Sequence, residues 1–285
     1  MKLILGFLIV FGSVIGGYVL SNGQLLALWQ PYELLIISGA AIGSFVVANP
    51  PKLIRQIAKG VPLLLGGSRY DKAMYMDLLA LLYDIFAKAR KEGLMALEND
   101  VEEPEQSEIF RRYPRILNNH HALAFICDYL RLMVGGSMNP FEIESLMDME
   151  LETHHTEANL ASAAMNTVAD ALPGLGIVAA VMGVVITMGS LGEPPEILGA
   201  HIAAALVGTF LGVLLAYGFA QPIAIALSHH AREEAKFLEC IKVCILATLN
   251  GYTPQIAVEF GRKVLYSTER PGFIELEQHV KQKRA

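Results

Sequence analysis

Charge is missing from four long stretches of this 285-residue chain, and that absence constrains its architecture more than any other feature. Between Leu3 and Ala48 the only charged side chain is Glu33. Between Ala171 and His229 there is no Lys or Arg, and the only acids are Glu193 and Glu196. Elsewhere the chain is ordinarily charged, yet the total is 18%, against about 25% for soluble domains. A bilayer-crossing helix needs about 20 mostly apolar residues. Leu3–Leu20, Glu33–Ala48, Leu172–Ser190 and Ala200–Ala226 are long enough or nearly so. The second is shortest; Trp29 and Tyr32 suit the headgroup level beside it, and Pro50-Pro51 stops it. In lipid every backbone polar group must be satisfied internally, which leaves helices or a closed barrel. No β-pattern and no solenoid repeat accompanies these stretches. The expected fold is all-α: a polytopic membrane protein with four transmembrane helices and a helical domain outside the membrane.

The basic residues orient the spans. All 22 Lys and Arg are accounted for by Lys2, the segment from Lys52 to Arg131 and the segment from Arg232 to Arg284. The loops Ser21–Tyr32 and Leu191–Gly199 have none. Basic residues concentrate on the cytoplasmic side, so both termini and the long middle segment are expected in the cytoplasm. The expected organisation is spans one and two in 1–50, a cytoplasmic helical domain in 51–170, spans three and four in 171–227, and a cytoplasmic helix and tail in 228–285. Leu3–Leu20 is longer than a signal-peptide core of about 7–15 residues and lacks an A-x-A site, so a retained span is expected. Within the middle segment, Met74, Leu78, Leu81, Leu82, Ile85 and Phe86 recur at helical spacing along Asp71–Leu97. Glu142–Leu160 and Glu233–Leu249 also read as helices, Glu98–Glu108 as a turn or loop, and Glu275–Ala285 as a charged and disordered end.

The chemistry available to the spans is limited. Ion and proton pathways in membranes usually run through carboxylates, and the interior of these spans has none; Glu33 and Asp170 stand at the margins. If the chain conducts ions, a partner helix must bring the titrating group. Gly208 and Gly212 form a G-x-x-x-G pair suited to close helix packing. Pro173 is expected to begin the third span, where a missing N–H matters little. Pro222, near the end of the fourth, frees a carbonyl and can kink its helix. Thr187 and Thr209 are hydroxyls within apolar helices, where bonding back to the preceding turn is the default. Arg90 and Glu98, read as one helix, are two turns apart, roughly 12 Å at 1.5 Å per residue, too far to pair, and a solvated face accounts for both.

Other function classes find little support. A net charge of −6 argues against a general nucleic-acid binder. Cys127, Cys240 and Cys244 contain no C-x-x-C pair and read as free thiols in a reducing compartment. His154-His155 and His229-His230 are adjacent pairs that splay apart on a helix, so no joint metal site is expected of them. No nucleophile, cofactor or nucleotide-loop constellation supports an enzyme.

Two segments carry a family resemblance. The run ADALPGLGIVAAVMGVV from Ala169 resembles the third span of the MotA family of flagellar stator subunits, and AALVGTFLGVLLAYGFAQP from Ala204 resembles its fourth. The layout of two spans, a large cytoplasmic segment, two spans and a tail agrees over the whole chain. The resemblance implies a proton-driven stator in the bacterial inner membrane, with five copies around a MotB dimer whose aspartate binds the ion. It implies that Pro173 and Pro222 couple ion passage to movement, that Thr209 lies near the ion path, and that Arg90 and Glu98 face the rotor protein FliG. Sodium-driven relatives carry Thr where this chain has Ala180; losing that oxygen ligand points to protons. Two alternatives stay open: a TolQ/ExbB-like energiser, against which the two spans before the cytoplasmic segment count, and a membrane scaffold without ion flux.

Overall fold

The computed structural model describes residues 2–67, 69–136, 138–189, 192 and 194–284. Every regular element among them is helical. Besides short 3-10 turns at Leu64–Gly66 and Leu94–Leu97, the α-helices in chain order are α1 Lys2–Leu20, α2 Leu25–Leu28, α3 Pro31–Ala48, α4 Pro51–Leu63, α5 Lys72–Glu92, α6 Glu98–Glu102, α7 Glu108–Arg111 and α8 Pro114–Leu117. They continue with α9 His120–Gly135, α10 Pro140–Gly189, α11 Pro195–Leu215, α12 Gln221–Leu249, α13 Pro254–Val264 and α14 Phe273–Arg284. Four helical stretches are long and apolar enough to span a bilayer: Lys2–Leu20, Leu25–Ala48, Pro140–Gly189 and Pro195–Leu249. They contain the four expected spans. Ser190, the expected end of the third, lies outside the described residues, as do Leu191 and Glu193 of the loop that follows.

The chain divides into two compact units: residues 1–67 with 157–230, and residues 68–156 with 231–285. Helices α10 and α12 contribute to both.

In the first unit α1 and α3 expose most of their apolar residues, Leu5, Leu8, Phe11, Leu35 and Val47 among them. In water such a surface would be a liability; for a span it is what lipid or neighbouring helices require. Small residues form the interior: Ala41 of α3, Ala169 and Ala179 of α10, and Ala216 and Ala220 cluster around Ile37 and Leu172. Helix α4, opened by Pro51, is amphipathic and packs Ile57 against Ala161 and Ala164 of α10.

In the second unit α5 is the central element. Asp71 caps it by accepting the Met74 N–H at 2.7 Å. All six expected core positions, Met74 to Phe86, are buried. Around them lie Phe110, Tyr113, Ile126, Tyr129, Phe237, Ile241 and Ile245. Cys127, Cys240 and Cys244 are free and buried in this core.

Several expectations are corrected. The α5 helix stops at Glu92 because Gly93 adopts φ +89°, a backbone that L side chains rarely tolerate. Arg90 and Glu98 therefore lie on different helices, and the along-helix separation read from the sequence does not apply. Glu98 opens a short helix, α6, before the turn at Pro104. The charged end is not disordered over its described length: α14 runs Phe273–Arg284, buries Leu276 and Val280, and sets His279 Nε2 3.0 Å from Asp77 of α5. Leu276 and Val280 are four residues apart and share one helical face, which the high charge of the segment masks in the sequence.

Candidate functional site

The third and fourth spans cross on glycine. A Cβ placed on Gly212 of α11 would lie 2.7 Å from Gly176 Cα and 2.7 Å from the Leu172 carbonyl oxygen of α10. A Cβ on Gly176 would meet the Gly208 carbonyl oxygen at 2.9 Å, and one on Gly208 would come 3.2 Å from Ala180 N. Further along, a Cβ on Gly183 would strike Ala205 Cβ at 2.8 Å. The G-x-x-x-G pair is thus the contact itself, with backbones meeting at distances no larger side chain permits. Ala180, half-buried, borders this crossing.

Two hydroxyls flank it and behave differently. Thr187 is buried and donates to its own helix at Gly183 O, 2.8 Å away. That is the default for a hydroxyl within an apolar helix, and it leaves Thr187 no donor for a path. Thr209 follows Gly208, is half-buried, and makes no hydrogen bond among the described residues. Back-bonding was the expectation for both, and it holds only for Thr187.

The two prolines are placed by long helices. Pro173 does not begin a helix: it lies inside α10, which runs unbroken from Pro140 to Gly189. A proline there has no N–H for the Ala169 carbonyl and crowds it. The sequence misled because the hydropathy boundary at Ala171 is not a helix boundary. Pro222 has the same effect on the Gly218 carbonyl, and the residues just before it, Ala216–Ala220, form a π-helical turn joining α11 to α12. Just beyond, Ser162 of α10 donates to the Ala224 carbonyl at 2.8 Å, a buried tie between the two proline-bearing helices. Phe7 of α1 stacks on Phe219 of the π turn at 5.0 Å between centroids.

Arg90 and Glu98 are both exposed, and neither has an ion-pair partner among the described residues. Arg90 edges a groove of about 280 Å³ with Leu94, Met133 and Tyr252.

One cluster in the second unit escaped the sequence reading. Glu234 of α12 sits between His121 of α9 and His154 of α10, with its Oε1 2.8 Å from His121 Nδ1 and 3.6 Å from His154 Nε2. Burial by itself would raise the Glu234 carboxyl, but hydrogen bonds from both imidazoles outweigh it and hold the group well below the usual carboxylate range. The hydrogen bond to Glu234 raises His121 in turn. The sequence pairs His154 with His155, its chain neighbour, whereas its partners in this cluster, His121 and Glu234, come from distant parts of the chain.

The arrangement of the spans matches known proteins closely. Residues 4–93 fit the family model described as motility protein A N-terminal, and residues 118–240 fit the MotA/TolQ/ExbB proton channel family. Motility protein A of Escherichia coli strain K12 is 57% identical over 281 residues, covering 99% of this chain and 95% of that one. The chain belongs to the motility protein A family. Another relative, chemotaxis protein LafT of Vibrio parahaemolyticus, is 38% identical over 98% of both chains. Among solved structures, the flagellar MotAB stator complex of Bacillus subtilis aligns with TM-score 0.76 at 25% identity, covering 95% of this chain and 98% of that one. The C. jejuni MotAB structure aligns with TM-score 0.78 at 21% identity, covering 93% and 96%, and supports the fold. Membership in the motility protein A family and four apolar helices make this a multi-pass inner-membrane protein. The family model at the amino terminus covers nearly all of the first apolar helical stretch, Lys2–Leu20, and the whole of the second, Leu25–Ala48.

Proposed function

We propose that this chain is a stator subunit of the bacterial flagellar motor, coupling proton flow across the inner membrane to torque on the rotor. The observation that carries the reading is near full-length kinship with motility protein A in a chain whose spans hold no carboxylate in their interior. Such a subunit shapes a path and converts movement, while the titrating group comes from elsewhere. In this reading MotB supplies the aspartate from its single membrane helix, and copies of this chain, five by the family resemblance, surround a MotB dimer. The distribution of Lys and Arg supports both termini, and the segments after the second and fourth spans, facing the cytoplasm.

The chemistry follows from the spans. Ala180 borders the glycine crossing and brings no oxygen with which to replace the water of a sodium ion; a proton needs only a carboxylate and water. Thr209, its hydroxyl not tied to its own helix, is the residue of this chain suited to hold water beside the partner's aspartate. Thr187 has a packing role by virtue of its bond to Gly183. A proton moving through about 100 mV releases about 2.3 kcal/mol, several times thermal energy. Protonating the aspartate weakens its hold on the surface bearing Pro173 and Thr209, and the subunits step around the dimer. Pro173 and Pro222 each remove an intrahelical hydrogen bond, so α10 and the α11–α12 run flex there at little cost. Arg90 and Glu98, exposed and without an ion-pair partner among the described residues, engage opposite charges on the rotor protein FliG.

Co-purification tests the assembly. The full chain, co-expressed with a MotB carrying a periplasmic peptidoglycan-binding domain and solubilised in detergent, is expected to elute as one complex with MotB. Separate elution under conditions that keep motility protein A and MotB of E. coli together would overturn the reading.

A further inference from the structure

We propose that His121, His154 and Glu234 form a binding site for a divalent transition metal of the zinc type. The ligand atoms of the three residues all lie within 4.8 Å of one another. Zinc holds nitrogen and oxygen ligands at about 2.0–2.2 Å in a tetrahedron, whose edges are then about 3.4 Å. The separations of 2.8 Å from His121 Nδ1 to Glu234 Oε1, and 3.6 Å from His154 Nε2 to the same oxygen, straddle that edge. The imidazoles stand nearly edge to face, centroids 5.8 Å apart at 83°, so their nitrogens converge on the carboxylate rather than stack. Two imidazoles and one carboxylate are a donor set that zinc accepts while keeping one position open.

The site is built on rigid elements. His154 and Glu234 lie mid-helix on α10 and α12 with side chains 21% and 16% exposed, while the His121 side chain at the start of α9 is 69% exposed. The two half-buried ligands are pre-positioned, and the exposed one closes over the metal from the solvent side, where water fills the fourth position. Glu234 is oriented from behind. The buried Tyr70 hydroxyl hydrogen-bonds to it, and Asn119 Nδ2 donates to Tyr70 at 3.5 Å. Metal-ligating carboxylates are typically held by such outer partners. Among the described residues, His154 Nδ1 is buried with no hydrogen-bond partner, so the ring's polar contact is made by Nε2 toward Glu234. A metal here would tie α9, α10 and α12 at one point.

The experiment uses the full-length chain, purified without an affinity tag, with Zn²⁺ and Co²⁺ as probes. Equilibrium dialysis is expected to give one saturable Zn²⁺ per chain, and Co²⁺ to show the visible d–d absorption of a tetrahedral site, reversed by added zinc. His121→Ala, a change at an exposed side chain, is expected to lower affinity at least 10-fold, and Tyr70→Phe about 10-fold through loss of the outer hydrogen bond. His120→Ala, one residue away and exposed, is expected to leave affinity unchanged. No saturable binding, or binding that His121→Ala and Glu234→Gln leave intact, overturns the proposal. The readout is metal binding and is independent of the stator reading.

Discussion

Gly212 and Gly176 meet so closely that a Cβ on Gly212 would stand 2.7 Å from the Gly176 Cα. The obstacle is backbone on both sides, so no rotamer change relieves it. The pair fixes how near the third and fourth spans approach, and with that the position of Ala180 and Thr209 beside them.

Gly212→Val is therefore expected to separate the spans. Overpacking of a tight contact typically costs about 1–3 kcal/mol, and here the backbone must move. Reduced detergent-stable yield and a lower Tm than wild type are expected, with Gly174→Val, whose Cβ meets nothing within 4 Å, as the mild comparison.

The two threonines are predicted to diverge. Thr187→Val removes one helix back-bond, worth about 0.5–1.5 kcal/mol at most, and is expected to leave swimming near normal. Thr209→Val removes the untied hydroxyl and is expected to slow swimming severalfold with MotB co-purification unchanged, while Thr209→Ser keeps the speed. Speed-against-load measurements on tethered cells read both.

The prolines are predicted to matter for torque rather than assembly. Pro173→Ala restores an N–H to the Ala169 carbonyl and stiffens α10. Intact MotB binding with halted rotation is expected. Unchanged rotation would show that the missing hydrogen bond is not what lets the helix move.

The surface charges give a rescue experiment. Arg90→Glu is expected to weaken swimming in soft agar, and a charge reversal on FliG to restore part of it. Because Gly93 separates the helices that carry Arg90 and Glu98, distinct reversals on FliG are expected to rescue Arg90→Glu and Glu98→Lys.

One acid-sensitive tie holds α13. Arg262 donates from Nε at 2.7 Å and Nη2 at 2.6 Å to the Glu259 carboxylate, and from Nη1 to the Pro271 carbonyl at 2.9 Å. The guanidinium hydrogen bonds hold the Glu259 carboxyl below its ordinary 4.5. Folding thus favours the ionised form: the stabilisation is complete above 4.5 and is lost as pH falls through the lower folded value. Thermal unfolding from about pH 6 down to about pH 3 is expected to drop less steeply for Glu259→Gln than for wild type.

The spans and the core of α5 were legible in the sequence because hydropathy and helical period follow directly from burial. Helix boundaries were not. Hydropathy reports where lipid begins, while α10 and α12 continue through that border as unbroken helices, which is why Pro173 fell inside one. Gly93 was the opposite case: one residue with a positive φ cut a pattern that periodicity alone carried on to Leu97. The G-x-x-x-G pair was visible, but its partner, Gly176, required the structure. The cluster at Glu234 was hidden because its members come from three helices and share no spacing in the chain.

The central claim is proton-driven torque, and swimming under ion control tests it most directly. The chain, expressed with its MotB in E. coli lacking its own motility protein A, is expected to restore swimming that persists when sodium is replaced by potassium and stops when a protonophore collapses the proton gradient. Swimming that requires sodium and survives the protonophore would contradict the account.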